Sequence, residues 1–200
     1  MPLIKVILGS TRPNRFGIQP AEWIMRLSKE HPEAIFEFID LEKINLPFLD
    51  EPQAPLFGNY VHDHTKAWSK MIDEADGYII IASEYNRGPA ASLKNAIDFA
   101  AKEWFYKPVS FVSYGANGGG ARAVEQLHNT FTWLRAYSMH DELHIHNYWK
   151  QMDENGKFIP TEEQEESAHR LIKHLVFWAD RMKGPREELK KLETEEETEA

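Results

Sequence analysis

Short hydrophobic runs alternate along this chain with amphipathic stretches, and the two patterns predict different elements. Four runs contain few polar positions, which is typical of strands covered on both faces rather than on one. They occupy residues 3–8, 34–41, 78–82 and 108–114. A shorter and more polar run at residues 142–146 predicts a fifth strand at or near an edge of the sheet.

Between these runs, hydrophobic positions recur at helical spacing. Helices are predicted over residues 18–29, 62–75, 90–102 and 121–135. A last helix begins after Thr161, which is predicted to cap it, and ends near residues 183–185. A chain that alternates strands and helices in this way builds a parallel sheet with right-handed crossovers.

Two segments fit neither pattern. Residues 44–60 contain three prolines and no hydrophobic period, which predicts a long surface loop. The end of the chain is strongly acidic and contains no aromatic residue, so it cannot bury enough apolar surface to offset the entropy of ordering. We therefore predict one domain over residues 1–184, with no second domain or internal repeat, followed by a disordered tail over residues 185–200.

The net charge of −9 and the absence of cysteine exclude several classes of function. Binding to nucleic acid or to an anionic membrane depends on surplus lysine and arginine, so neither partner is expected. Without cysteine there are no disulfides, thiolate metal sites or cysteine nucleophiles. No apolar run approaches the roughly 20 residues that cross a bilayer, and the apolar start is too short for a signal peptide. We therefore expect a soluble, cytoplasmic protein.

The loop after the first strand, residues 9–17 (loop 1), has the composition of a phosphate site. Ser10 and Thr11 supply hydroxyl groups, Arg12 and Arg15 supply charge, and free N–H groups at the start of a helix attract anions. The loop is neither a Walker A motif nor GxGxxG. The alternative is an ordinary turn with arginines facing solvent.

Two further loops follow predicted strands. Residues 83–89 (loop 2) contain Tyr85, which can lie against a flat ligand, and Asn86, whose backbone can donate hydrogen bonds. The alternative is a turn in which Asn86 bonds only to its own backbone. Residues 114–120 (loop 3) include four glycines, which let a ring approach the backbone, although a merely flexible connection has the same composition. In an open parallel sheet, ligands bind beyond the carboxyl ends of the strands.

The histidines do not indicate a metal site. His144 and His146 share a strand face, and His62 and His64 are close in sequence, but third and fourth ligands cannot be assigned. We interpret them as ordinary surface or core residues and expect no metal.

The three loops together resemble the NADPH-dependent FMN reductase family, a flavodoxin-like group that includes quinone and azo-dye reductases. The resemblance covers roughly residues 3–150. It lies in the stretches GSTR at 9–12, EYN at 84–86, SLKNAID at 92–98, KPV at 107–109, SYG at 113–115 and GG at 118–119. The EYN and LKNAID stretches are the specific part, because a GSTR turn alone is common.

The resemblance implies a three-layer sandwich whose five parallel strands have the order 2-1-3-4-5, with FMN bound non-covalently. The FMN phosphate would contact Ser10, Arg12, Arg15, Phe16 and Gly17. The ring would lie against Glu84, Tyr85, Asn86 and Arg87, with Ser113, Tyr114, Gly115 and Gly118 on its other side. This chain differs from the family pattern at Ser83, where proline is common, and at Arg87, where a small or apolar residue is usual. Arg87 is therefore our candidate for tuning the flavin or recruiting an anionic substrate.

The function implied is reduction of a small acceptor (flavin, quinone or azo compound) by NADPH or NADH, through ping-pong hydride transfer on FMN without a catalytic side chain. The family also implies a homodimer or homotetramer, in which Trp104, Phe105 and Tyr106 either pack at a helix end or form the interface. The loop at residues 46–60 would then lie near the partner's flavin. Two alternatives remain: a flavodoxin-type single-electron carrier, disfavoured by the two arginines of loop 1, and a flavin-binding regulatory protein with little turnover.

Overall fold

The computed structural model describes residues 1–199, without the side chains of residues 194 and 196–199. Its strands are β1 (Leu3–Leu8), β2 (Ile35–Asp40), β3 (Gly77–Tyr85), β4 (Gly88–Pro89), β5 (Pro108–Tyr114), β6 (Tyr137–Ser138) and β7 (Leu143–Ile145). Its α-helices are α1 (Ile18–Leu27), α2 (Leu41–Ile44), α3 (Asp63–Asp73), α4 (Ala91–Asp98), α5 (Ala121–Trp133), α6 (Glu162–Arg181) and α7 (Lys183–Glu199). Thr161 caps α6 as predicted, in a reciprocal pair with Gln164.

The strands form one mostly parallel sheet in the order β2-β1-β3-β5-β6. Both β6 and β7 pair with β5, the former near the start of β5 and the latter near its end. Two short strands thus share the place of the predicted fifth strand, and the order corresponds to 2-1-3-4-5. The predicted count of five is wrong, since the structure has seven strands in the described residues.

The extra strands arise at two places. The edge is interrupted between β6 and β7, where Asp141 pairs with side chains of α6 and Glu142 pairs with a side chain of α5. At the other site, β3 continues past its buried part and folds back as a hairpin with β4.

The two faces of the sheet are covered by different helices, because successive strand residues face opposite sides. Ile4, Val6 and Leu8 of β1 pack with α1 and α6. Ile7 and Ile80 belong to the opposite core, which includes side chains of α3, α4 and α5. The predicted three-layer α/β class is confirmed.

The predicted loop at residues 44–60 contains one turn of 3₁₀-helix, Pro55–Phe57, and follows the short helix α2. The loop connects α2 to α3, and both helices lie on the same side of the sheet. Within residues 1–199, no helix has both the length and the apolar character that a bilayer span requires.

The chain after Arg181 differs from the predicted disordered tail, because it forms α7. Lys183 and Arg186 contact the carboxylate of Asp76, at 2.8 and 2.7 Å, and Arg135 pairs with Glu193. These partners are distant in sequence, so composition does not indicate them. Residue 200 and the side chains of residues 194 and 196–199 lie outside the described part, and the domain boundary at residue 184 stays a prediction.

Candidate functional site

A cavity of about 370 Å³ lies at the carboxyl ends of β1, β3 and β5. The three loops contribute Arg12, Asn14, Arg15 and Phe16, then Ser83, Glu84 and Tyr85, then Tyr114, Gly115 and Ala116. Gln19, Tyr148 and Met152 complete the lining. The structure therefore brings loops 1, 2 and 3 together at one site.

Some of the predicted site residues are not part of this lining. They are Ser10, Gly17, Asn86, Arg87, Ser113 and Gly118. Ser10 is buried, and its hydroxyl group lies 3.0 Å from that of Tyr85, which links loop 1 to loop 2. A Cβ atom on Gly17 would lie 2.6 Å from the Tyr114 hydroxyl oxygen, so a larger residue here would displace the Tyr114 side chain.

The two arginines of loop 1 are not equivalent. The Arg15 side chain is almost fully buried, and its guanidinium group contacts Asp40 at 2.6 Å and Glu42 at 2.9 Å. Two carboxylates therefore compensate its charge. Arg12 is exposed and forms no ion pair within the described residues. The charge still available to an anion in the cavity thus comes from Arg12.

Three polar atoms of lining residues are buried without a well-formed hydrogen bond among the described residues: Tyr114 Oη, Ser83 Oγ and Arg15 Nε. The Tyr114 hydroxyl group nevertheless lies close to Ser10, Ser83 and the Gly17 backbone, whose hydrogen bonding partly opposes the effect of burial on its pKa. Burial raises the pKa of Tyr114 to about 12, so its hydroxyl group stays protonated at neutral pH and can donate. An unsatisfied buried polar group costs about 1–3 kcal/mol. The cavity therefore favours a ligand that offers hydrogen-bond acceptors.

Loop 2 is the turn of the β3–β4 hairpin. Asn86 and Arg87 both have positive φ, at 49° and 71°, as a two-residue type I′ turn requires. This geometry puts Arg87 at the exposed tip, while Glu84 on the strand points to Arg122 of α5, with an N···O distance of 3.2 Å. Gln126 of α5 also donates to the Arg87 carbonyl oxygen. Loop 2 is therefore anchored to the helix that follows loop 3.

Loop 3 is shaped by contacts on the side away from the cavity. Ser113 is fully buried and donates to the carbonyl oxygen of Gly119 at 2.8 Å. Gly119 and Gly120 have φ values of 59° and 92°, which residues with a Cβ rarely adopt. A Cβ on Gly118 would collide with the guanidinium group of Arg122. Ser113 and Gly118 thus set the course of the loop instead of facing the cavity.

Sequence reasoning missed the wall that Tyr148 and Met152 provide. Both lie in or next to the 3₁₀-helix Tyr148–Gln151, just beyond the edge strand β7. The rings of Tyr148 and Phe16 are stacked, with centroids 4.3 Å apart. The available signal was an aromatic pair, Tyr148 and Trp149, directly after the fifth predicted strand, where a parallel sheet presents its ligand site.

A larger cavity, of about 590 Å³, lies on the other side of loop 1, between α2 and α4. Its walls include Thr11, Leu46 and Phe48. None of the unpartnered buried polar atoms of the described residues belongs to it. The smaller cavity is therefore the better candidate for a specific polar ligand.

Residues 2–150 match the sequence profile of the family described as NADPH-dependent FMN reductase. The chain belongs to this family. An NAD(P)H-dependent FMN reductase of Schizosaccharomyces pombe is 40% identical over 129 residues, which are 64% of this chain and 64% of that relative. An NAD(P)H:quinone oxidoreductase of Solanum tuberosum is 28% identical over 192 residues, covering 92% of this chain and 96% of the relative. The resemblance to NADPH-dependent FMN reductases that the loops indicate is confirmed.

Solved structures agree with the fold. FerB, a flavoenzyme NAD(P)H:(acceptor) oxidoreductase from Paracoccus denitrificans, superposes with a TM-score of 0.71 at 22% identity, covering 91% of this chain and 99% of FerB. A flavodoxin from Streptococcus pneumoniae TIGR4 superposes with a TM-score of 0.57 at 13% identity, covering 87% of this chain and 97% of that chain. At these identities the similarity concerns the fold alone. It confirms the flavodoxin-like fold class that the sequence predicts.

Proposed function

We propose that this chain is an FMN-dependent NAD(P)H oxidoreductase that reduces a small acceptor. The proposal depends chiefly on the cavity that loops 1, 2 and 3 line together, where Arg12, which forms no ion pair among the described residues, shares the lining with the hydroxyl-bearing residues Ser83, Tyr85 and Tyr114. FMN offers acceptors of the required kind, on its phosphate and along the edge of its ring. Membership of the NADPH-dependent FMN reductase family supports the same cofactor.

The phosphate is proposed to bind at loop 1, whose candidate residues are Ser10, Arg12, Arg15, Phe16 and Gly17. Arg12 supplies the net positive charge, because Asp40 and Glu42 compensate Arg15. The free N–H groups at the start of α1 add a partial positive charge. Ser10 and Gly17 act indirectly: the former links the loop to Tyr85, and the latter leaves room for Tyr114.

The ring is proposed to lie against loop 2, at Glu84, Tyr85, Asn86 and Arg87, and against loop 3, at Ser113, Tyr114, Gly115 and Gly118. Of these, Glu84, Tyr85, Tyr114 and Gly115 line the cavity, so direct contacts are proposed for them. Because Arg87 lies at the exposed tip of the hairpin, we propose that it recruits an anionic substrate rather than tuning the ring.

When bound, FMN supplies the two-electron chemistry that links NAD(P)H to the acceptor, and no side chain is needed as a nucleophile. The residues of the chain would bind the phosphate and orient the ring, and burial keeps the Tyr114 hydroxyl group protonated at neutral pH. We propose a quinone, a free flavin or an azo compound as the acceptor. The name of a relative from Burkholderia, 2-hydroxy-1,4-benzoquinone reductase, supports the first of these. The cytoplasmic location stays a prediction.

We also propose that two copies associate through the face formed by α4, α5 and residues 54–56. A groove of about 650 Å³ on this face includes Leu56, Ile97 and Leu134. Trp133 also lines it and is 86% exposed. A protruding aromatic side chain beside an apolar groove can enter the same groove of a second copy, as in an isologous interface. Of the three interface candidates that the sequence indicates, Trp104, Phe105 and Tyr106, the first two are buried in their own chain.

The test is to purify the full chain, titrate it with FMN by fluorescence, and mix the loaded protein with NADPH in a stopped-flow spectrophotometer. We expect the protein to retain FMN, the flavin absorption band to bleach rapidly on mixing, and a quinone to restore it. A protein that remains colourless with micromolar FMN would contradict flavin binding. Tight FMN binding without bleaching would indicate an electron carrier, and bleaching without turnover on any acceptor would indicate a regulatory protein.

A further inference from the structure

Behind loop 3, four polar side chains form a continuous chain of hydrogen bonds. The hydroxyl oxygen of Ser113 lies 2.8 Å from the Gly119 carbonyl oxygen and 2.6 Å from His144 Nδ1. His144 Nε2 lies 2.9 Å from Glu142 Oε1, and His128 Nε2 lies 3.0 Å from the other oxygen of that carboxyl group. The series thus connects α5 and the edge strand β7 to the glycines of loop 3.

The number of protons in this series decides the charge of His144. Ser113 has one hydroxyl proton, and it is donated to Gly119, so the short contact to His144 requires a proton on Nδ1. The contact to Glu142 requires a second proton, on Nε2, because a carboxylate only accepts. An imidazole ring that carries both protons is an imidazolium cation.

Glu142 is in the carboxylate form that this count assumes. Burial raises the pKa of Glu142, but the hydrogen bonds and charges of His144 and His128 outweigh burial, so that its pKa lies below the ordinary value. Both carboxyl oxygens therefore accept hydrogen bonds, one from each histidine.

The bond from Ser113 orients a peptide group that lies next to Gly115, a residue of the cavity lining. The Gly119–Gly120 peptide is trans, so its C=O and N–H groups point to opposite sides. Because the carbonyl group points to Ser113, the Gly120 N–H points away from Ser113. A Cβ built on Gly115 would lie 3.0 Å from that nitrogen atom, and Gly115 lines the cavity. The Gly120 N–H has no acceptor within the described part of the chain. The orientation of this donor hence depends on Ser113.

Loss of one proton from His144 disrupts the arrangement. A neutral ring that still donates to Glu142 can only accept at Nδ1, so Ser113 must turn its proton from Gly119 to His144. The Gly119 carbonyl group then loses its partner inside the protein, which is unfavourable. Loop 3 is left without the contact that holds its two left-handed glycines.

We propose that His144 is a positioning residue whose imidazolium form, acting through Ser113, holds loop 3 in the conformation that binds the cofactor. FMN retention therefore weakens when His144 loses one of its two ring protons. The neighbouring titratable groups are Glu142, which compensates the charge, His128 beyond it, and His146, whose ring centre lies 6.5 Å away. Helix α6 packs on the opposite face of β7, against Leu143 and Ile145. The inference rests on the proposed function, because FMN is the ligand that reports on loop 3.

Two measurements on the full chain test the inference. The first is ¹⁵N NMR of the histidine rings in the FMN-free protein, for which we expect both nitrogens of His144 to be protonated near neutral pH. The second is the dissociation constant of FMN between about pH 7 and about pH 9.5, a range in which the phosphate stays a dianion because its second pKa is about 6. We expect affinity to fall about tenfold, the effect of one net hydrogen bond.

Three variants separate positioning from general damage. His144→Gln cannot carry the charge, so its FMN affinity should be low and independent of pH. Ser113→Ala keeps the pair of His144 and Glu142 but disconnects it from Gly119. Its FMN affinity should also be low and independent of pH, while both ring nitrogens of His144 remain protonated. His174→Gln is the matched control, because His174 also bonds to a carboxylate, that of Asp141, and should match the unmodified chain.

A neutral His144 in the NMR spectrum, or unchanged pH dependence in Ser113→Ala, would overturn the inference while the proposed function stands. Complete failure of the unmodified chain to bind FMN would overturn the proposed function instead. In that case the NMR spectrum still decides the charge of His144, because it is recorded without the cofactor.

Discussion

Gly120 and Gly17 occupy positions where a single added carbon atom would meet another part of the site. At Gly17 the obstacle is the Tyr114 hydroxyl group, and at Gly120 it is Ser113, with a distance of 2.7 Å between the two Cβ atoms. Gly120 also has a φ of 92°. These residues let three loops approach one another closely, so their contribution is steric and conformational rather than chemical.

At this scale we expect Gly120→Ala to lower the free energy of unfolding by about 2–4 kcal/mol, measured by urea denaturation. This range is the sum of two energetic costs. One is the collision with Ser113, and the other is the left-handed backbone, which costs about 1–2 kcal/mol for a residue with a Cβ. Gly58→Ala is the matched control, because Gly58 has a φ of 68° but nothing within 4 Å of its added Cβ. Equal losses in both variants would show that the collision is unimportant.

A second prediction at this scale concerns Arg12. Because Asp40 and Glu42 compensate Arg15, Arg12→Ala should weaken FMN binding by about 1.5–3 kcal/mol, the size of a hydrogen bond to a charged group. Fluorescence titration measures the dissociation constant. Arg26→Ala, which changes another exposed arginine outside the cavity lining, should leave it unchanged. An unaltered constant in Arg12→Ala would exclude the assigned phosphate site.

At the scale of elements, α7 and the start of β5 illustrate how long-range contacts override composition. The acidic segment is helical because its basic residues meet acidic groups at the amino end of the sheet, as Arg186 meets Asp76. Nearby, Lys107 Nζ donates to the carbonyl oxygens of Ile72 and Asp73, at 3.0 and 2.9 Å. A buried amino group thus joins the end of α3 to the start of β5.

The burial of Lys107 predicts a pH dependence of stability. Burial lowers the pKa of Lys107 to about 7 in the folded protein, whereas an unfolded chain holds this proton up to about pH 10.4. Between these values the unfolded state binds more protons, so the contribution of Lys107 makes the free energy of unfolding rise with pH. Chemical denaturation at several pH values from about 7 to about 9.5 measures the slope, up to about 1.4 kcal/mol per pH unit.

Comparing the pH slopes of two variants isolates the contribution of Lys107 to the free energy of unfolding. Lys107→Met removes the titrating group and should flatten the slope relative to the unmodified chain, even if it lowers stability at every pH. Lys29→Met, which changes an exposed lysine, should keep the full slope. Parallel pH curves for Lys107→Met and the unmodified chain would be incompatible with a lowered pKa of Lys107.

On the scale of the whole molecule, the sheet gathers one loop from each of three strands at its carboxyl edge and leaves an apolar face between α4 and α5. The proposed pairing of two copies through that face predicts that Trp133→Glu yields a monomer, since a buried charge opposes association. Sedimentation velocity measures the change. Trp149→Glu changes a half-exposed tryptophan outside this face and should keep the assembly of the unmodified chain. A monomeric unmodified chain would contradict the pairing.

The elements and the three loops were predictable because their signals are local. Continuous apolar runs indicated the buried strands, and β5 has the predicted bounds. The glycines of loop 3 and the EYN stretch of loop 2 indicated a ligand site at the sheet edge where the cavity lies. Hydrophobic period and turn composition depend on neighbours within a few residues, so the order of residues alone determines them.

Only the tertiary structure decided which groups of those loops are available. Arg15 is compensated by Asp40, a partner 25 residues away that β1–β2 pairing brings near. Ser113 faces His144 rather than the cavity, and Tyr148 joins the lining from the far edge. The partner of a polar side chain depends on contacts between segments distant in sequence, which packing creates. The sequence thus determined the location of the site, and the packing of the sheet and its loops determined its composition.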